Sequence, residues 1–445
     1  MQPLREILTS LREHKYTDID AWIGRLVVWL AAVIAGLMVV LFAKTSEFAI
    51  TFFFGLQRSR WWLPLIITPV AGVLIVWATR RWVPGAAGSG IPQTIAALHK
   101  GESNVQLGKL VSLRLALTKI VLGLCTLAVG FSAGREGPSV QVGASLMHAC
   151  RRFLPQGFSV HPKHLILAGG AAGISAAFNT PLAGIVFAIE ELGRGFEQKT
   201  NGIVITAIVL SGLVSISLMG NYTYFGSFLA GSIDRRIVIP VIICGIICGF
   251  FGGIFSRTLI QASGPMSGLV GRYRRLYPLW WAGFCGLMVA LLGVISNGAA
   301  HGSGYTFTQD MLDRSMVETW QYAPIKYLAT IFTYLSGVPG GIFAPSLSIG
   351  AGIGNNLLLV FSQQDMAAAI IALCMAGFLA AVTQAPLTTF IIVMEMINGH
   401  EMVISLMAVT FIATIVSRML SKPLYSTLAE RQLRGGKIGK NNEIK

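Results

Sequence analysis

A carboxylate carried into an apolar stretch must be neutralised, paired or put to use, and this sequence places few acids there. Glu136 stands in Gly134-Arg135-Glu136-Gly137-Pro138, directly before an apolar run, and Glu190 and Glu191 close the run that follows Pro181. Two further turns, Gly88-Ser89-Gly90-Ile91-Pro92 and Gly340-Gly341-Ile342-Phe343-Ala344-Pro345, also set flexible glycines before a proline suited to the first turn of a helix. A helix that begins inside a bilayer presents unpaired N–H groups and the positive end of its dipole, with no water to satisfy them. Three such starts, after Gly90, Gly137 and Gly341, would line one pocket with amide donors, and a small anion suits that pocket by charge and by hydrogen bonding. Partial charges also let the anion leave again, as passage requires.

Residue types around these turns fit the same chemistry. Ser89 and Tyr425 offer uncharged hydroxyl donors, while Ile342 and Phe343 put apolar bulk around amides that a weakly hydrated halide can approach. Taken alone, Ser89 reads as an ordinary helix N-cap and Tyr425 as a tyrosine of the membrane interface. An ionised Glu136 would be held by the amides of its own turn, the backbone of Gly134, Arg135 and Gly137, and so would compete with the anion. Protonated, it would swing out, which ties anion passage to proton binding. The structural alternative is a loop salt bridge from Glu136 to Arg135.

An internal repeat separates the other acids. Pro138 is followed 43 residues later by Pro181, with Glu190 nine residues on; Pro345 is followed 41 residues later by Pro386, with Glu395 nine residues on. Glu190 thus has a counterpart in Glu395, whereas Glu191 matches Met396. A carboxylate kept in both halves suits the tying of helix ends to amides, and one found in a single half suits a task performed once. Glu191 is therefore expected to be a proton station facing the cytoplasm, the alternative being a solvated helix end before Gly193-Arg194. Paired Gly/Pro-interrupted segments at matching places in two halves point to a binding site near the bilayer midplane.

The elements that must hold these residues follow from composition. Of 445 residues 54% are hydrophobic and 12% charged, about half the charged share of a soluble domain, and the apolar share allows no more than roughly a dozen crossings. A soluble enzyme is excluded in favour of a polytopic membrane protein. The net charge of +15 does not mark a nucleic-acid binder, because the basic residues sit at span ends rather than in runs interleaved with aromatics. Arg5, Arg12, Lys15 and Arg25 precede the first apolar stretch and Arg418, Lys422, Arg431 and Arg434 follow the last, which by the positive-inside rule puts both termini in the cytoplasm. Leu26 to Ala43, Trp61 to Thr79, Ile203 to Met219, Ile237 to Phe255 and Leu279 to Val294 read as ordinary spans. The segments after Pro92, Pro138, Pro181, Pro345 and Pro386 reach only about one half to two thirds of the bilayer before an interruption, so broken helices are expected. The first apolar run lacks a signal-peptide cleavage site and reads as a retained span. The six cysteines have no metal-ligand spacing and read as packing residues.

Two motifs compete with this reading. Gly130-Phe131-Ser132-Ala133-Gly134 matches the nucleophile-elbow pattern of an intramembrane serine hydrolase, but His148 alone among the histidines lies near an apolar segment. Gly350-Ala351-Gly352-Ile353-Gly354 resembles a dinucleotide loop without a soluble βαβ unit around it, so helix packing accounts for it better.

Gly88-Ser89-Gly90-Ile91-Pro92, Gly134-Arg135-Glu136-Gly137-Pro138, Gly341-Ile342-Phe343-Ala344-Pro345 and Lys422-Pro423-Leu424-Tyr425 resemble, in order and spacing, the signature segments of the CLC chloride channel and transporter family, prokaryotic H⁺/Cl⁻ exchanger type. The resemblance extends over about Arg25 to Leu433. It implies an all-α polytopic fold of two inverted halves built from tilted, often partial helices, in a homodimer with one anion path per subunit. It further implies chloride held by the hydroxyls of Ser89 and Tyr425 and the amides of Ile342 and Phe343, with Glu136 as external gate and Glu191 as internal proton glutamate. Lys119 resembles a buried family lysine near the proton route, although alone it reads as a snorkelling side chain. The expected division is a cytoplasmic segment 1–24, a first half 25–219, a linker 220–236, a second half 237–420 and a cytoplasmic tail 421–445. About 25 residues follow Leu420, so no nucleotide-binding regulatory domain is expected. The expected activity is H⁺/Cl⁻ antiport across the inner (cell) membrane, with chloride and protons as partners, no cofactor, no metal and no nucleic acid. A passive chloride channel is the alternative.

Overall fold

The computed structural model describes residues 19–99, 107–156, 158, 160–193, 201–220, 223–227, 235–264, 268–314, 319–361 and 366–442. Arg5, Arg12, His14, Lys15, Arg194 and much of the expected linker lie outside the described residues. The first half begins with α1 (Ile19–Ser59) and α2 (Pro64–Trp82), and continues through the short α3 (Ile91–His99), α4 (Leu113–Ala128) and α5 (Glu136–Ala149). It ends with α6 (Pro162–Phe178), α7 (Pro181–Phe187) and α8 (Asn201–Met219). The second half comprises α9 (Val238–Ser263), α10 (Gly268–Leu276), α11 (Pro278–Ile295), α12 (Tyr305–Asp313), α13 (Tyr322–Ser336) and α14 (Phe343–Leu357), then α15 (Ala367–Thr383), α16 (Pro386–Ile397) and α17 (Val403–Leu420). A last helix, α18 (Leu424–Asn442), carries Tyr425. Among the described residues the extended pairings are two isolated bridges, Gly88 with Pro339 and Gly134 with Gly341.

Local sequence explains the breaks. Proline occupies the first turn of α2, α6, α7, α11 and α16, where its missing N–H costs nothing and its fixed φ favours the helix. Asn179 and Gln384, at matching places in the repeat, end α6 and α15 in the left-handed conformation and turn the chain into α7 and α16. At about 1.5 Å per residue, α3, α5, α7, α14 and α16 span roughly 10 to 22 Å, short of a hydrocarbon layer of about 30 Å. Six helices are long and apolar enough to cross a membrane, one more than the five uncharged stretches counted from the sequence. The additional one, His400–Leu420, takes in α17, where Arg418 in the last turn shortens the uncharged run. The first span is also longer than its apolar run: α1 continues past Lys44 and Glu47 to Ser59, 41 residues in all.

The two halves follow each other element by element. Pro64 and Pro278, which open α2 and α11, keep the same spacing as Gly88 and Gly302; Lys119 and Lys326, Gly134 and Gly341, and Pro138 and Pro345 share a second. Gly134 pairs with its own counterpart Gly341 in antiparallel sense, so the halves meet about a local two-fold with their chains opposed. In the first half α5 and α6 pack extensively on each other, as their counterparts α14 and α15 do in the second, and the residues of α6 and α15 are almost all buried. Residues exposed on α1, α2, α8, α9, α11 and α17 include many Leu, Ile, Phe and Trp, the composition of a lipid-facing surface.

Candidate functional site

Four backbone hydrogen bonds draw the three glycine turns together. Gly134 and Gly341 exchange N–H to C=O bonds of 2.7 Å in both directions, Gly88 donates to Val338 O at 3.2 Å, and Gly340 donates to Gly88 O at 3.1 Å. The N-termini of α3, α5 and α14, which begin at Ile91, Glu136 and Phe343, therefore converge at one buried place. Close approach requires glycine here: a Cβ on Gly137 would stand 2.3 Å from the Ser89 hydroxyl and 2.9 Å from the Ser89 carbonyl. Ile342 and Phe343 are buried at the start of α14, and Phe343 packs its ring 5.5 Å from that of Phe178.

Tyr425 reaches this place from the start of α18. Its side chain is fully buried, and α18 packs on α3. The Tyr425 and Ser89 hydroxyls face each other, yet neither makes a hydrogen bond of normal geometry. Two buried hydroxyls without acceptors, beside converging amides, form a donor-rich hollow, and leaving such groups unmet costs about 1–3 kcal/mol each. The arrangement is chemically suited to an anion.

Glu136 is completely buried at the first turn of α5. It is faced by its own amide, the amide of Ala344 and the Tyr224 hydroxyl, but neither carboxyl oxygen has a hydrogen bond of normal geometry. The loop salt bridge to Arg135 is not formed: Arg135 instead donates through Nη1 to Ala43 O at 2.6 Å and to Glu47 Oε1 at 2.9 Å. Arg135 is held by α1, so the Glu136 carboxyl is left to the amide pocket. Glu47 and Tyr224 were not foreseen, since nothing in their local sequence marks them.

Glu190 and Glu191 both lie within a π-helical turn, Ala188–Leu192, that follows α7. Such turns recur at functional sites because the extra residue redirects side chains. Glu190 leaves the half: its two oxygens accept from the amides of Leu387 at 3.1 Å and Thr388 at 2.6 Å, at the tip of α16. Glu395 returns the contact, accepting from Leu182 at 3.3 Å and Ala183 at 2.8 Å at the tip of α7. Glu191 turns inward instead, 3% exposed, on the Tyr425 side of the hollow. The repeat argument thus distinguishes two adjacent carboxylates that the structure sends in different directions.

Lys119 is fully buried and does not snorkel; Nζ donates to Ala86 O at 2.8 Å and Gly88 O at 2.5 Å, bracing the turn that carries Ser89. Two cavities flank the tied turns. One of about 240 Å³ is lined by Glu47, Arg135, Glu136, Tyr224 and Ser303. The other, about 290 Å³, is lined by Ser89, Gln93, Tyr334, Arg274 and Arg431. Ser132 of the elbow-like pattern is buried and pairs its hydroxyl with Thr330 Oγ1 at 3.0 Å rather than with a histidine, so no nucleophile is assembled there. Gly350 and Gly354 lie within α14 against the backbone of α15, as helix packing requires. All six cysteines carry free thiols, five of them buried. Among the described residues no group of His, Cys, Asp or Glu is arranged to hold a metal.

Comparison with known proteins bears on this geometry. The family described as voltage gated chloride channel matches residues 71–418. The chain belongs to that family. It is 30% identical over 430 residues to the H(+)/Cl(-) exchange transporter ClcA of Salmonella typhi, covering 92% of this chain and 89% of that one. The ClcA protein of Citrobacter koseri is 29% identical over 429 residues, with the same coverage. Among solved structures, a slow cyanobacterial Cl⁻/H⁺ antiporter superposes with a TM-score of 0.79 at 24% identity, over 92% of this chain and 98% of that one. A CLC-type fluoride/proton antiporter superposes with a TM-score of 0.75 at 23% identity, over 91% of this chain and 97% of that one. At such identities the structural matches establish the fold, an all-α polytopic CLC architecture.

Proposed function

We propose that this chain exchanges chloride for protons across a membrane, acting as a secondary-active transporter rather than an enzyme. Chloride sits in the donor-rich hollow, held by the hydroxyls of Ser89 and Tyr425 and the amides of Ile342 and Phe343, with Gly134, Arg135 and Gly137 supplying the neighbouring backbone. Glu136 is the gate: ionised it occupies the amides, and protonated it yields them to the anion. Glu191 is the proton station on the opposite side. One observation carries the reading, the convergence of three helix tips and two buried, unmet hydroxyls with a buried carboxyl at their edge. The curated relatives, named as H(+)/Cl(-) exchange transporters along nearly their whole length, support it.

The reading also takes the protein as a homodimer with one path per subunit, in the inner membrane with both termini cytoplasmic, and with no cofactor. Exchange is favoured over a passive channel by the buried inward-facing Glu191, for which a channel has no use. The deciding experiment is the reversal potential of the reconstituted protein under symmetric chloride and a pH gradient. A reversal displaced from zero is expected; a reversal fixed at zero would eliminate proton coupling and leave the channel.

A further inference from the structure

The repeat puts one apolar crease on each half, at equivalent positions. In the first half a crease of about 310 Å³ lies between α1, the start of α4 and the end of α5, lined by Val27, Ala31, Ile34, Leu113 and Leu146. In the second a crease of about 610 Å³ lies between α9, the start of α13 and α14, lined by Ile247, Phe251, Ile254, Trp320 and Ile353. Each residue of the second set is the repeat counterpart of one in the first. A constant spacing relates the three on α1 to the three on α9, and the spacing that relates Lys119 to Lys326 relates the other two pairs. Both creases open on the lipid-facing surface, where Ile34 is 51% and Trp320 64% exposed.

Their mouths differ in charge. Arg152 lines the first crease from the short turn that follows α5, and its counterpart in the second half is Leu359. Arg151 and Arg114, the latter next to Leu113, correspond to Leu358 and Gln321. Arg152 Nε donates to Ala149 O at 3.1 Å and its guanidinium lies 5.8 Å from the ring centre of Phe153, which fixes the group at the crease and leaves its two terminal nitrogens to donate elsewhere. Among the described residues neither Arg152 nor Arg114 enters an ion pair. The polar edge of the second crease is closed from within instead: Asn356, the counterpart of Ala149, donates to Trp320 O at 2.9 Å. Glu136 opens α5 and Arg152 follows its end, so the basic mouth sits towards the membrane face opposite Glu136. An apolar crease ending in arginines without carboxylate partners is complementary to a lipid with a fatty chain and a negatively charged head.

We propose that the first crease binds an anionic phospholipid, with an acyl chain along Val27, Ala31 and Ile34 and the phosphate on Arg152 and Arg114. The second crease takes an acyl chain without regard to the charge of its head. The proposal is independent of the transport reading, since it rests on the two creases and their arginines.

The test uses the full-length protein in non-ionic detergent, with thermal unfolding followed as didecanoyl phosphatidylglycerol or didecanoyl phosphatidylcholine is added. Phosphatidylglycerol is expected to reach half its effect at a concentration about tenfold lower. Arg114→Gln with Arg152→Leu installs the residues of the second half and should bring that ratio below about threefold. Arg80→Gln with Arg81→Gln removes the same charge from the end of α2 and should leave the ratio intact. No preference in the wild type would overturn the proposal, and so would an equal fall in both double variants, which would mark a general attraction to surface charge. Glycerol phosphate carries the head without chains and should neither stabilise the protein nor displace the lipid; an effect equal to the lipid's would make this a site for free phosphate and refute the lipid. Should the Arg114 and Arg152 variant fail to fold, photoreactive phosphatidylglycerol labelled in its acyl chain decides on the wild type. Relative to the matching phosphatidylcholine, its cross-links should favour residues 27–34 of α1 over 247–254 of α9 about fivefold, and equal ratios at the two creases would overturn the proposal.

Discussion

Two groups of helix tips in this protein face anionic or hydroxyl groups, those of α3, α5 and α14 buried and those of α7 and α16 partly exposed at Leu182 and Leu387, and they are finished differently. The tips of α7 and α16 are each closed by a carboxylate from the other half, Glu395 and Glu190, which accept from two consecutive amides. The tips of α3, α5 and α14 receive no carboxylate from another helix; what stands nearest them is Glu136, tethered to the turn it faces, and a pair of hydroxyls. The same electrostatics operate in both places, since an anionic group favours a helix N-terminus. A carboxylate fixed by a second helix makes a joint, whereas one that can withdraw leaves a vacancy for a mobile ion.

The largest effect is expected where the comparison turns on mobility. Glu136→Gln keeps the volume but abolishes the charge that competes for the amides, so chloride flux should persist, lose its dependence on pH and carry no protons. Chloride and proton fluxes from loaded vesicles measure this together, and wild-type coupling in the variant would remove Glu136 from the gate. Glu191→Gln should abolish proton flux and retain chloride flux. Applied to Glu395, the repeat counterpart of Glu190 whose neighbour is Met396, the Gln change should leave coupling intact.

A joint should break differently. Glu395→Ala strips the α7 tip of its acceptor, leaving the exposed Leu182 amide to solvent and the partly buried Ala183 amide unmet, a destabilisation of about 1 kcal/mol. Thermal unfolding in detergent reads it, and Glu190→Ala should match it, with Gln smaller at each position. The comparison sharpens further if bromide is present. A tip emptied of its carboxylate has acquired the character of an anion site, so bromide should restore part of the lost stability in Glu395→Ala and none in wild type. Identical responses would mean that the two kinds of tip differ in more than their occupant.

How far the sequence carries this picture depends on what kind of signal each residue gives. The glycine turns before Pro92, Pro138 and Pro345 are legible because a membrane helix cannot start without exposing amides, and the structure brings those three starts together. Glu190 and Glu191 could be told apart because a repeat supplies an internal comparison. Glu47 and Tyr224 are not legible in the sequence, since they reach Arg135 and Glu136 through tertiary packing from a distant helix and a distant connecting segment. Gly302-Ser303-Gly304 repeats the first turn without its proline, having Thr306 where the first has Pro92, so the proline spacing does not mark it. The sixth long span was under-counted because a terminal arginine interrupts an otherwise apolar run.

The smallest effects should come from the two hydroxyls, and their size separates a built anion site from a mere gap in packing. Ser89→Ala and Tyr425→Phe each remove one oxygen and keep the remaining shape. If these hydroxyls only fill space, removing an unmet buried donor relieves a cost of about 1 kcal/mol and the variants melt higher with halide binding unchanged. If they donate to the anion, each substitution should instead weaken halide binding by about fivefold, close to 1 kcal/mol, while stability without halide stays level or rises slightly. Because the two oxygens face each other across one hollow, the double variant should lose less than the product of the single losses, and calorimetric titration of chloride into all four proteins measures that shortfall. Full additivity would place the hydroxyls on separate ions, and unchanged binding in both single variants would return the hollow to the class of the closed joints, a feature of packing with no part in transport.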